Sequence, residues 1–184
     1  MNRRIATTTQ QSSRQIRDML QSVLVGELLV PPQRLWLVSA WIVDAPVIDN
    51  RGGELTGLVP EWPDREILLS EVLAVFLANG SKVVVVTNDH VANRPFPLAL
   101  QAAASRLDSA DRLQIDEVPR PVMEEERGLH RKRLVTEDVV VWGSMNFTRS
   151  GYEHNAEDVS LDIEREVVGA AVNEMEQLYP IGDK

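Results

Sequence analysis

The sequence predicts one α/β domain, a mixed β-sheet covered by helices on both faces. Three observations predict it. Short apolar, β-branched runs alternate with stretches of helical periodicity. A helix pattern closed by Asn79-Gly80 leads into the run at residues 82–86, the order of a βαβ unit, which implies a parallel pair joined by a right-handed crossover. The chain of 184 residues is long enough for one well-buried core and short for two, and no repeat, low-complexity run or linker divides it. Residues 1–184 therefore read as a single domain.

The elements follow in order. Residues 12–25 place Ile16, Met19, Leu20, Val23 and Leu24 at helical spacing, with Ser12 or Ser13 as cap and Pro31-Pro32 as stop. Residues 35–43 read as a buried strand. Residues 44–63, with Pro46, Gly52, Gly53, Gly57, Pro60 and Pro63, read as a long irregular loop, a kind of segment that is often functional. Asp64 can cap a helix running through Ile67, Leu68, Val72, Val75 and Phe76 to Asn79-Gly80, and the strand at 82–86 follows. Beyond Pro95 and Pro97 the alanine-rich residues 98–107 predict a helix, and 113–118 a short strand. Two β-like runs then meet at an acidic turn around Glu137-Asp138, and residues 164–178 put Val167, Val168, Ala171, Val172, Met175 and Leu178 on one face of a closing helix.

Composition narrows the setting. Hydrophobic residues make up 43% and charged residues 26%, as in ordinary globular proteins. Cysteine is absent, which excludes disulfides and Cys-based zinc sites. Arg3 and Arg4 are followed by no apolar segment of the export type, and no apolar run is long enough to span a bilayer, so the expectation is a soluble, cytoplasmic protein. The net charge of −9 argues against loose coating of nucleic acid. Arg127, His130, Arg131, Lys132 and Arg133 nevertheless form a basic island, which suits a narrow anion-binding cleft.

That island carries the chemistry. On a strand, His130 and Lys132 share a face and present an imidazole beside an ammonium. Gly143, Ser144 and Asn146 then offer backbone N–H, hydroxyl and amide donors. An imidazole can attack phosphorus and form a phosphohistidine, dividing one hard displacement into two easier ones. Lys132 and Asn146, with Ser144 and the N–H groups near Gly143, would neutralise the non-bridging oxygens as charge develops, without a metal or other cofactor.

His130-x-Lys132, followed by Gly143-Ser144-x-Asn146-Phe147-Thr148 and Asn155-x-Glu157, resembles the HKD signature of the phospholipase D superfamily, in the form carried by small nucleases with one motif per chain. One part departs: Glu137 stands at the family's aspartate position with Asp138 next, and the hairpin is about a residue short, which bears on hairpin geometry more than on chemistry. The resemblance implies an α-β-α sandwich and a metal-independent phosphodiesterase acting on nucleic acid, with DNA as the expected partner. It also implies a homodimer, because a second imidazole is needed across the site and the chain has one motif. Glu157 would orient His130 through its other ring nitrogen. Phospholipid fits less well, since no segment reads as a basic amphipathic surface helix. A looser, general similarity is to the short DpdK-type phospholipase D-like proteins of bacterial 7-deazapurine DNA modification clusters, which implies partner proteins of a defence system. Glu137, the short hairpin and the net charge also keep open a second reading, a nucleic-acid-binding or scaffolding subunit with little turnover.

The remaining candidates are weaker. Arg131 and Arg133 are expected to help bind phosphate. Trp62, between Pro60 and Pro63, is the better candidate among the tryptophans for stacking on a base, although packing under its loop is the favoured reading. Trp36, Trp41 and Trp142 read as core or dimer interface. His90 with Asp89, just past a buried strand, reads as a loop feature, and His154 as a turn or cleft residue. Their spacing matches no metal motif.

Overall fold

The computed structural model describes residues 2–6, 10–119, 129–153 and 157–182, without the side chains of residues 10–13 and 153. Its elements are β1 (Asn2–Ala6), α1 (Gln10–Leu29), β2 (Arg34–Ser39), β3 (Pro46–Asp49), β4 (Glu66–Leu68), α2 (Leu69–Ala78), β5 (Lys82–Asn88), α3 (Pro95–Arg106), β6 (Leu113–Val118), β7 (Lys132–Val135), β8 (Val140–Gly143), α4 (Arg149–Glu153), β9 (Asp158–Asp162) and α5 (Arg165–Leu178). Seven strands form one mixed sheet in the order β1-β9-β8-β7-β2-β5-β6, and β3 pairs with β4 apart from it. Pairing is parallel along β2, β5 and β6, where α2 and α3 supply crossovers, and antiparallel from β2 through β7, β8, β9 and β1, with a short hairpin between β7 and β8.

Burial explains the strand composition. Val83 to Val86 are all fully buried, because Val83 and Val85 face the layer built by α1, α2 and α3, while Val84 and Val86 face α5. On the first side Ile16, Met19, Leu20, Leu24 and Leu28 of α1 join Phe76, Phe96 and Leu100. On the second, α5 contributes Val168, Ala171 and Met175 over Trp36, Val38, Val135 and Val140. Each such large side chain contributes roughly 1.5–3 kcal/mol by leaving water. The α/β class, the mixed sheet and the helical cover of both faces are as the sequence predicts.

Several boundaries differ. Asp64 does not cap α2; Glu66 and Ile67 belong to β4, paired with Asp49 and Ile48, so tertiary pairing overrides the helical pattern there. The start of α2 is held instead by Glu71, whose carboxylate accepts the Leu68 N–H at 3.0 Å, and by Asp44, which accepts the Ser70 N–H at 3.0 Å and its hydroxyl at 2.7 Å. The strand expected to reach residue 43 ends at Ser39, and Ile42 makes an isolated bridge to Phe147. The strand β1, the β3–β4 ribbon and α4 are not anticipated. Arg127, Gly128, Glu124, Glu125, Glu126, His154 and Asn155 lie outside the described residues.

Candidate active site

The register brings one end of each relevant strand together. Ser39, last in β2, pairs with Lys132, first in β7. Arg133 pairs with Trp142 in β8, and Gly143, last in β8, pairs with Val159 near the start of β9. The end of β2, the beginning of β7, the end of β8 and the beginning of β9 therefore form a single sheet edge. The motif residues sit there. His130 is exposed and precedes β7 rather than lying within it, so strand alternation does not set its direction. Lys132 is half-buried, and its Nζ donates to the His130 carbonyl at 2.9 Å, which ties the ammonium to the backbone beside the imidazole.

Ser144 stitches β8 to β9. Its N–H donates to the Asp158 carbonyl at 3.0 Å, its Oγ accepts the Asp158 N–H at 3.0 Å, and its hydroxyl donates to Glu157. The Glu157 carboxylate thus accepts from the Ser144 hydroxyl. Gly143 is required by the same closeness, since a Cβ there would meet the Asp158 carbonyl oxygen at 1.9 Å. Gly151 is similarly confined, as its Cβ would lie 2.3 Å from the Asn146 carbonyl, so α4 rests on the motif loop. At the exposed edge Arg4 of β1 donates from Nε to Asp158 at 2.8 Å, and that bond holds the Asp158 carboxyl below its ordinary value.

Asn146 is fixed by a residue the sequence reading missed. The hydroxyl of fully buried Ser39 lies 3.1 Å from Asn146 Oδ1 and 3.0 Å from the Trp41 carbonyl, so it occupies the carbonyl side of the amide and leaves the NH2 side for other partners. The separation of 107 residues leaves no local signal for this contact. Behind it, Asn93 is 2% exposed and donates to the Ala40 carbonyl, Thr87 Oγ1 and the Asn88 carbonyl, each at 2.9 Å, while its Oδ1 accepts the Ile42 N–H at 3.3 Å. The loop after β2 is thereby held at the site.

The expected basic island is less open than its sequence implies. Arg133 and Arg131 both pair with Glu174 of α5, and although burial acts to raise the Glu174 pKa, the two guanidinium groups outweigh it and hold the carboxyl below its usual value. These pairs fasten α5 to β7. Trp62 is corrected more fully: it is 6% exposed and part of the main core with Val59 and Ile67, so its ring packs under the loop and presents no face to a base. Glu137 stands away from the site, at the far end of β7, where it accepts from the Arg34 N–H at 3.2 Å and Nε at 2.7 Å; Arg34 also reaches Glu176 at 2.6 Å. The replaced acidic residue is therefore structural.

The solved structures that resemble the chain include NucT from Helicobacter pylori, 12% identical with a TM-score of 0.61 over 98% of this chain and 96% of that one. They also include the phospholipase D family member Nuc from Salmonella typhimurium, 11% identical with a TM-score of 0.59 over 99% and 95%. Polyphosphate kinase from Porphyromonas gingivalis matches at 10% identity and a TM-score of 0.62 over 100% of this chain but 24% of its own. At these identities the likeness is one of fold. No curated protein matches the chain. The family described as "Cardiolipin synthase, PLD-like domain" matches residues 47–179, well over half of the sequence and all of the described motif residues, and the chain therefore belongs to the phospholipase D-like family.

Proposed function

We propose that the chain is a metal-independent phosphodiesterase, a nuclease working through a phosphohistidine on His130. The observation that carries this reading is the gathering of His130, Lys132, Ser144, Asn146 and Glu157 at one sheet edge, at the start of β7, just past β8 and just before β9. In the first step an imidazole nitrogen of His130 forms a bond to phosphorus while the leaving alkoxide departs and takes a proton from His130 of a second copy of the chain. In the second step that imidazole removes a proton from water, the new P–O bond forms and the P–N bond breaks. Lys132 and the Asn146 NH2 stabilise the non-bridging oxygens in both steps. Glu157, bonded to Ser144, acts as a positioning residue for His130. The single motif per chain supports the homodimer, and DNA is the favoured substrate, within a modification and restriction system of partner proteins.

One observation favours a second reading, a nucleic-acid-binding or scaffolding subunit: Arg131 and Arg133 share the Glu174 carboxylate, which offsets one of their two charges, in a chain of net charge −9. The test is hydrolysis of a generic phosphodiester and of single- and double-stranded DNA in excess EDTA by the wild-type protein and His130→Ala. The expected outcome is EDTA-resistant cleavage that falls at least about a thousandfold in the variant. Cleavage that survives the substitution, or that needs metal, overturns the mechanism. Absence of cleavage by both proteins supports the binding subunit.

A further inference from the structure

Beside the motif lies an aromatic pair that the phosphoryl chemistry leaves unused. Trp41 follows β2, and its ring meets His90, just past β5, edge to face at 4.9 Å between centroids and 69° between planes. Trp41 and His90 are both half-buried, and close to them in the chain Val43 is 42% and Val91 67% exposed. The ledge is rigid. Asn93 holds the backbone on both sides of Trp41, at Ala40 and Ile42. It is also joined directly to the motif loop, because Ser39 Oγ lies between the Trp41 carbonyl and Asn146 Oδ1, and the Val43 N–H donates to the Phe147 carbonyl at 2.9 Å. His90 Nδ1 accepts the Ala92 N–H at 3.1 Å, which leaves Nε2 as the proton-bearing nitrogen of the neutral ring, a donor for a base edge or a phosphate.

We infer that the Trp41–His90 ledge is a stacking site for an unpaired base next to the phosphodiester held by Lys132 and Asn146, which makes single-stranded nucleic acid the ligand class. This rests on the phosphodiesterase reading for the position of the phosphate. Charge supports it. With Arg131 and Arg133 paired and the chain at −9, attraction to the phosphate backbone is weak, and stacking supplies affinity that needs no positive field. A base inside a duplex offers no free face, so the ledge discriminates by strandedness.

The test uses full-length His130→Ala, which does not turn over its probe, and fluorescence anisotropy with an oligothymidylate of roughly ten nucleotides, an abasic oligomer of the same length, and a duplex. The oligothymidylate is expected to bind about tenfold tighter than the abasic oligomer and tighter than the duplex. Adding Trp41→Ala should erase that preference, and Trp41→Phe should keep most of it. A preference that persists in Trp41→Ala overturns the proposal, as does a change in oligomeric mass with that substitution, which would assign Trp41 to a subunit interface. If His130→Ala prefers neither oligomer while the wild-type protein cleaves in EDTA, the ledge fails and the phosphodiesterase stands. If the Trp41-dependent preference appears without any cleavage, the ledge stands and the enzyme reading fails.

Discussion

Gly143 shows how tightly a single position constrains the site. Its missing side chain lets the Asp158 carbonyl approach, and the two Ser144–Asp158 hydrogen bonds depend on that approach. Gly143→Ala must move β9 and separate Glu157 from Ser144. The expected cost is about 1–3 kcal/mol in denaturant unfolding, with a loss of phosphodiesterase activity larger than the unfolded fraction explains. Gly169 is the control: it lies in α5 with nothing within 4 Å of an added Cβ, so Gly169→Ala should be neutral or stabilise by up to ~1 kcal/mol. Equal destabilisation by both substitutions would contradict this account. At this scale His130, Lys132, Ser144, Asn146 and Glu157 are legible because a motif has an order and a spacing. Ser39 and Trp62 are not. The first acts across the sheet on a distant residue, and the prolines around the second mark a loop without saying which side chain turns inward.

At the level of elements, the hairpin that carries the motif is monitored from below by an acid. Glu27 of α1 is 7% exposed, receives the Thr136 hydroxyl at 3.3 Å, and has no hydrogen-bond partner for Oε2 among the described residues. Thr136 opens the turn between β7 and β8, where its N–H donates to the Val139 carbonyl at 2.9 Å. Burial first, then the neighbouring Asp138 carboxylate, pushes the Glu27 carboxyl up to about 7. The folded state thus holds this proton more strongly than the unfolded chain. Its stabilising effect is complete below the ordinary carboxylate range, fades as pH rises toward 7, and is gone above it. The melting temperature of the wild-type protein should fall between pH 5 and pH 8, and Glu27→Gln should flatten that slope and gain roughly 1–2 kcal/mol at pH 8. An unchanged slope in the variant would remove Glu27 as its source. The short turn is readable from Glu137-Asp138 between apolar runs. The strand β1 was not, since Asn2-Arg3-Arg4-Ile5-Ala6 lacks alternation and becomes a strand by pairing with β9. The helix start misread at Asp64 has the same origin, because Ile67 fits either a helix face or the β3–β4 ribbon and only the partner decides.

For the whole molecule, the parallel half of the sheet builds the scaffold and the antiparallel half carries the motif residues, and both reach the same edge. No helix of the described residues is long and apolar enough to cross a membrane. The fold class was legible because alternating periods and a Gly-stopped helix are local signals; assembly is not a local signal, and the proposed homodimer rests on counting imidazoles. If one His130 attacks and a second protonates the leaving group, each reaction needs an intact pair, and a dimer with one defective copy has none. Purified wild-type protein mixed with an equal amount of His130→Ala and allowed to exchange subunits should lose about half of its activity per wild-type chain, because random pairing puts half of those chains with a defective partner. A larger excess of the variant should suppress activity further, in proportion to the wild-type fraction. Activity per wild-type chain that stays constant while labelled subunits demonstrably exchange would mean that each chain completes its own site, and the second proton carrier would then have to be sought within the chain, with His90 at the same sheet edge as the first candidate to replace.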